Sequence, residues 1–194
     1  FFGELYPQLQ RVKGAFDPYN QLNPGKIATP AEGGQLLKID EVGTRGQQDA
    51  KIPTPMWQGF NEAMYCNGNG ACFNWNTADA MCPSYKVTRN RVYSPKGRAS
   101  LIREWTKQLA EHDFDVDNFD GGYDSIPKPA SKSERKKNSS NAVKQYDFSH
   151  EVMDSMSLCL ACKSCTGQCP IKVDVPEFRS KFLAFYYTRY QRPL

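Results

Sequence analysis

The chain has 194 residues, enough for one modest domain or a domain with appendages. Its formal charge of +4 is mild and spread along the chain, so it gives no argument for nucleic acid or an anionic membrane surface as a partner. No run of eighteen apolar residues could span a bilayer, and no apolar run with a small-residue cleavage site marks it for secretion. A cytoplasmic protein, at most peripheral at the inner membrane face, is therefore expected. The first residue is Phe1, in what reads as mid-helix sequence, so a piece of a longer polypeptide is expected.

Leu5, Leu9, Val12 and Phe16 recur at i, i+4, i+7 and i+11, which is one face of a helix. Asp17-Pro18 should end it, because proline disfavours helical geometry in the residue before it. Asn23-Pro24-Gly25-Lys26 reads as a tight turn. Residues 31–57 are rich in glycine and proline with little periodicity, and read as an extended linker with a short strand near Leu36–Val42. From residue 58 onward one cysteine-bearing domain is expected.

Ser94-Pro95 looks like a helix start, with serine as cap and proline at the first helical position. The helix should run to about His112, with Leu101, Ile102, Trp105 and Leu109 on its buried side. Lys96, Arg98 and Arg103 lie on it, and a solvated helix face is the more ordinary reading of these charges. The alternative is that they offset the charge of a nearby reduced cluster. Ser131–Asn141 holds only Ser, Lys, Arg, Glu and Asn, too little apolar surface to offset chain ordering, so residues 126–145 read as a flexible loop. That run lacks interleaved aromatics, so no nucleic-acid partner is expected. Helices at about 149–158 and 174–190 should follow, the second opened by the capping box of Asp174 and Glu177. Phe178, Phe182, Phe185 and Tyr186 then share a face that reads as core. His112 and His150 are isolated and read as helix-end residues, not ligands.

The chemistry lies in seven cysteines. Cys159, Cys162, Cys165 and Cys169-Pro170 form C-x2-C-x2-C-x3-C-P, the spacing of bacterial-type ferredoxins. Three thiolates two residues apart can wrap three corners of a cubane, whereas structural zinc sites favour C-x2-C pairs. Lys163 lies inside this loop, near the metal or simply exposed. The first group is a degraded version of the pattern. Cys66-x5-Cys72 has Asn69 where a middle cysteine would stand, and Cys82-Pro83 supplies the C-P element. Exchange of the fourth cysteines, as in two-cluster ferredoxins, assigns Cys159, Cys162, Cys165 and Cys82 to a [4Fe–4S] cluster. It leaves Cys66, Cys72 and Cys169 for a three-thiolate [3Fe–4S] site or a vestigial one. Cys169 as the fourth ligand of the complete cluster is the alternative.

The segment FDPYNQLNPGKI within residues 1–30 resembles the closing helix and turn of an FAD-linked oxidase C-terminal domain. The two cysteine blocks that follow resemble the matching region of large bacterial FAD and iron–sulfur dehydrogenases that oxidise D-2-hydroxyglutarate, a group with glycolate- and D-lactate-oxidising relatives. That resemblance implies a mainly α fold, an α-helical ferredoxin-like domain with long irregular loops, preceded by the last helix of the flavin-linked domain. It implies FAD bound mainly outside this segment, with Asn23 and Lys26 in reach of the flavin, and a downstream cysteine-rich domain of the same polypeptide. Electrons would leave towards a quinone or a soluble carrier, and homo-oligomerisation stays open. This segment alone would not be catalytic. The rival reading is a separate electron-transfer subunit of the succinate dehydrogenase or heterodisulfide reductase type.

Overall fold

The computed structural model describes residues 2–32, 34–38, 43–111, 119, 121–141 and 146–193. The chain divides into two compact units between Gln48 and Asp49. Among the described residues the regular structure is entirely helical.

The first unit is built on a 3-10 turn at Gly3–Leu5 and helix α1 (Tyr6–Phe16). Asp17 ends α1 as expected. Its carboxylate accepts from the backbone N–H groups of Gln21 and Leu22, each at 2.8 Å, and pairs with Lys13 Nζ at 2.5 Å. The Lys13 hydrogen bond is the main reason why the Asp17 carboxyl titrates below its usual range. The Asn23–Lys26 turn closes through Lys26 N–H to the Asn23 carbonyl at 3.2 Å. Leu5, Val12 and Phe16, the apolar face of α1, stand exposed. Helix α2 (Arg45–Asp49) is capped by Thr44, whose Oγ1 accepts from Gln47 N–H while Gln47 Oε1 accepts from Thr44 N–H. Residues 36–38 form no strand; residues 39–42 and His112 lie outside the described residues.

The second unit begins earlier than the sequence suggests. Helix α3 (Thr54–Gly59) falls across the expected linker boundary and α4 (Asn61–Met64) follows it, and Ile52 and Met56 are buried in the core. Apolar side chains this sparse in a Gly- and Pro-rich stretch show no period, which is why they read as linker. Then come α5 (Pro83–Thr88), a 3-10 turn at Arg91–Tyr93, α6 (Pro95–Glu111), α7 (Lys132–Asn141), α8 (Ser149–Ser157), α9 (Ser164–Gln168) and α10 (Val175–Arg189). Ser94 Oγ accepts from Gly97 N–H at 3.0 Å, and Asp174 Oδ1 from Glu177 N–H at 3.2 Å, so the expected caps are formed.

Aromatic side chains knit this unit. Trp105 meets the edges or faces of Phe60, Phe182 and Phe185 at ring distances of 5.5, 5.1 and 5.5 Å. Such pairs add roughly 0.5–1.5 kcal/mol each beyond their burial. Phe178, Phe182 and Phe185 are buried along α10, as their spacing indicated. Gly97 lets the start of α6 lie on the preceding turn, because a Cβ there would collide with the Arg91 carbonyl oxygen.

The expected loop at 126–145 contains a helix instead. Ser131 and Glu134 form a capping box at the start of α7, through Glu134 N–H to Ser131 Oγ at 3.3 Å and Ser131 N–H to Glu134 Oε2 at 3.0 Å. The polar side chains of α7 then serve the end of α10. Arg135 Nη1 donates to the Tyr187 carbonyl at 3.2 Å, and Asn138 Nδ2 to the Arg189 carbonyl at 3.0 Å. The last carbonyls of a helix have no partner within it, so a wholly polar helix can dock without an apolar face.

Candidate metal centre

The C-x2-C-x2-C loop leaves the end of α8 and enters α9. Cys159 N–H donates to the Met156 carbonyl at 3.1 Å, and the chain then turns through Ala161 and Lys163, both left-handed at φ 53° and 58°. These turns bend the loop back on itself and set Cys165 on the first turn of α9. Cys82 stands at φ 33° immediately before Pro83, which opens α5.

Cys82, Cys159, Cys162 and Cys165 line one small cavity, walled otherwise mainly by Leu160, Pro83, Pro95, Val175 and Pro176. Cys82 and Cys165 are buried and Cys162 is exposed. Ser164, through its hydroxyl and then its backbone N–H, holds the Cys162 thiol below its ordinary range, with a smaller contribution from the Arg98 charge. Burial pushes the Cys165 thiol up. Lys163 also borders the cavity, largely exposed and paired with Asp174 at 3.5 Å.

Arg98 and Arg103 do not lie on a solvated face. Arg98 is only 1% exposed: Nη1 donates to Cys82 Sγ at 3.6 Å, Nη2 to Ser84 Oγ at 3.0 Å and Nε to the Ser155 carbonyl at 3.0 Å. Arg103, also buried, donates through Nη2 to the carbonyls of Met64 and Cys66. A signal was present in the sequence. Arg98, Ile102, Trp105 and Leu109 follow the i, i+4, i+7, i+11 spacing of the buried stripe, so Arg98 occupies a core position. Lys96 Nζ donates to the Gly68 carbonyl at 3.4 Å and sits 5.3 Å above the Phe73 ring, beside the first cysteine loop.

Cys66 and Cys72 are both buried and close enough for the charge of one to raise the pKa of the other, though burial is the main cause of the raised Cys72 thiol. Asn69 is exposed and spent on its own loop, donating to Asn67 Oδ1 at 2.8 Å and accepting from Ala71 N–H at 2.8 Å. Cys169 is half-buried at the end of α9, outside the lining of the four-cysteine cavity, and packs on the core. Asn23 and Lys26 are exposed in the first unit, and Asn23 stands at φ 50°, where a turn asparagine is at home. His150 Nδ1 lies 2.9 Å from the Tyr186 hydroxyl, a core contact rather than a ligand position.

Residues 62–173, more than half of the chain, match the 4Fe-4S dicluster domain. The chain belongs to that family. All seven cysteines of this dicluster domain fall in the matched stretch. Over its whole length the chain is similar to proteins named D-2-hydroxyglutarate dehydrogenase: 57% identical to one from Pseudomonas putida, 52% to one from Escherichia coli and 46% to one from Haemophilus influenzae. It spans 19% of the length of each of these relatives. No solved structure matches the chain, and no helix among its described residues is long and apolar enough to cross a membrane.

The four-cysteine cavity fits an iron–sulfur cluster. Its donors are four sulfurs, and its walls are mainly proline and aliphatic side chains, with Ser84, Arg98 and Lys163 among them. Four sulfurs on one cavity, three of them at C-x2-C-x2-C spacing, suit a cubane cluster, whereas structural zinc sites favour C-x2-C pairs.

Proposed function

We propose that this chain is the one-electron relay of a flavin-dependent dehydrogenase that oxidises D-2-hydroxyglutarate to 2-oxoglutarate. The observation that carries the relay is the meeting of Cys82 with Cys159, Cys162 and Cys165 around one cavity with mainly apolar walls. The similarity to D-2-hydroxyglutarate dehydrogenases along the entire chain supports the substrate. A [4Fe–4S] cluster bound at this position would supply one-electron transfer. The residues around it do three things. The four thiolates would hold it, Ser164 favours the thiolate form of Cys162, and the proline and aliphatic walls limit water.

Cys66, Cys72 and Cys169 would make the second set, as the exchange of fourth cysteines assigns them. With Asn69 turned to its own loop, three thiolates remain, which suits a [3Fe–4S] centre. FAD and the substrate-binding groups would belong to other parts of the polypeptide, with Asn23 and Lys26 in reach of the flavin as the resemblance implies. Oxidation of the 2-hydroxy acid releases two electrons and two protons, and the electrons pass on to a quinone or a soluble carrier.

The test is anaerobic EPR on the native polypeptide, oxidised, reduced with dithionite, and mixed with D-2-hydroxyglutarate. A reduced-cluster signal with dithionite and with the D-acid, but not with the L-acid, is the expected result. A signal in the oxidised sample assigns the three-iron centre to the second set. Clusters reduced by dithionite alone would overturn the substrate, and absence of iron would overturn the relay. A native polypeptide near this chain's own 22.0 kDa would favour the separate-subunit reading.

A further inference from the structure

Arg98 is a full positive charge in the interior. It is 1% exposed, and it donates to a thiol, a hydroxyl and a backbone carbonyl. Among the described residues no carboxylate pairs with it. An uncompensated buried charge costs several kcal/mol, and arginine does not escape that cost by giving up its proton. Negative charge nearby would offset that cost, and the sulfurs of the cavity lie beside the guanidinium. Arg98 touches Cys82 Sγ directly, at 3.6 Å, and lines the same cavity as Cys159, Cys162 and Cys165.

We propose that Arg98 is a positioning residue that raises the reduction potential of the cluster held by Cys82, Cys159, Cys162 and Cys165. This rests on the relay reading above. Reduction adds one electron, and so one negative charge, with no bond made or broken; in the titration below the donor is dithionite. A fixed cation beside one ligand stabilises the form with the extra negative charge, and a donor hydrogen bond to a ligand sulfur acts in the same direction. Low local dielectric strengthens both effects. Two other contacts fix the guanidinium in this orientation. The Ser155 carbonyl and Ser84 Oγ take Nε and Nη2, which leaves Nη1 aimed at Cys82. Ser155 is itself fixed by its hydroxyl donating to the Val92 carbonyl at 2.8 Å.

The experiment is an EPR-monitored redox titration of the native holoprotein, with iron analysis, for the wild type, Arg98→Gln and Arg98→Lys. Arg98→Gln removes the charge. At any fixed ambient potential its reduced-to-oxidised ratio should fall about tenfold, a shift of about 59 mV to more negative values for a one-electron couple. Arg98→Lys keeps a charge but cannot make all three contacts, and should fall in between. Wild-type midpoints in both variants, at wild-type iron content, would overturn the proposal. If Arg98→Gln fails to retain iron, Arg98→Lys decides alone: a negative shift supports the role and an unchanged midpoint overturns it. Wild-type protein without iron would instead overturn the relay reading itself, which separates the two failures.

Discussion

Cys82 and Cys165 come from segments far apart in the chain, yet both are buried against the same cavity. The run that contains Cys165 also offers Cys169, nearer in sequence but outside that cavity lining. Cys82→Ala should therefore abolish the EPR signal of the four-thiolate cluster, although C-x2-C-x2-C is intact. Cys169→Ala should leave that signal in place and remove only iron bound elsewhere. Iron analysis with EPR on the two native-length variants checks both outcomes, and loss of the same signal in both would reverse the assignment.

Arg103 anchors the other cysteine loop from beneath, by hydrogen bonds to the carbonyls of Met64 and Cys66. Arg103→Met keeps the apolar stem but strips both carbonyls of their donor. Hydrogen bonds to charged groups are worth about 1.5–3 kcal/mol, so stability should drop by about that amount. A denaturant titration gives the loss. A variant as stable as the wild type would show that water replaces the guanidinium.

Gly97 is where α6 lies closest to the preceding turn. Gly97→Ala would drive a methyl into the Arg91 carbonyl oxygen and place it 2.7 Å from that of Val92, both backbone atoms that cannot swing away. The turn must shift, at a cost of about 1–3 kcal/mol typical of overpacking. The Tyr93 carbonyl, which contacts Cys82 Sγ at 3.6 Å, lies on that turn. Lower thermal stability together with poorer iron retention is the expected pair of results.

Asp147 predicts an acid-side pH dependence. Burial acts to raise its carboxyl, but hydrogen bonds from Tyr190 and Ser149 outweigh it and hold the pKa below its usual value. The Tyr190 hydroxyl donates to Oδ2 at 2.5 Å, Ser149 N–H to Oδ1 at 2.9 Å, and Arg189 lies 3.6 Å away. Because the folded carboxyl titrates lower than the unfolded one, its contribution is complete above the unfolded value, about 3.9. It is lost as pH falls through the lower folded value. The stability gap between wild type and Asp147→Asn should be constant near neutrality and shrink below about pH 4. Denaturation of both proteins at matched iron content across that range measures the gap; a gap independent of pH would show that the hydrogen bonds do not depend on the charge.

Local signals in the sequence were sufficient for the cysteine spacing, the caps at Ser94 and Asp174, and the aromatic face of α10. Each depends on residues within a turn or two of one another, where geometry follows directly from the order of residues. Tertiary structure alone decided what depended on distant partners. Arg98 on α6 looks like a surface charge until Cys82, Ser84 and Ser155 close around it, although its place on the apolar stripe was legible. The helix at Lys132–Asn141 has no apolar period because it satisfies the carbonyl ends of α10 instead of burying a face. Ile52 and Met56 become core only once the aromatic cluster is assembled over them. Composition and spacing determined which atoms could hold iron. The meeting of those atoms, with a buried cation beside them, was set by packing, because long-range contacts are chosen by the whole core and not by any one segment.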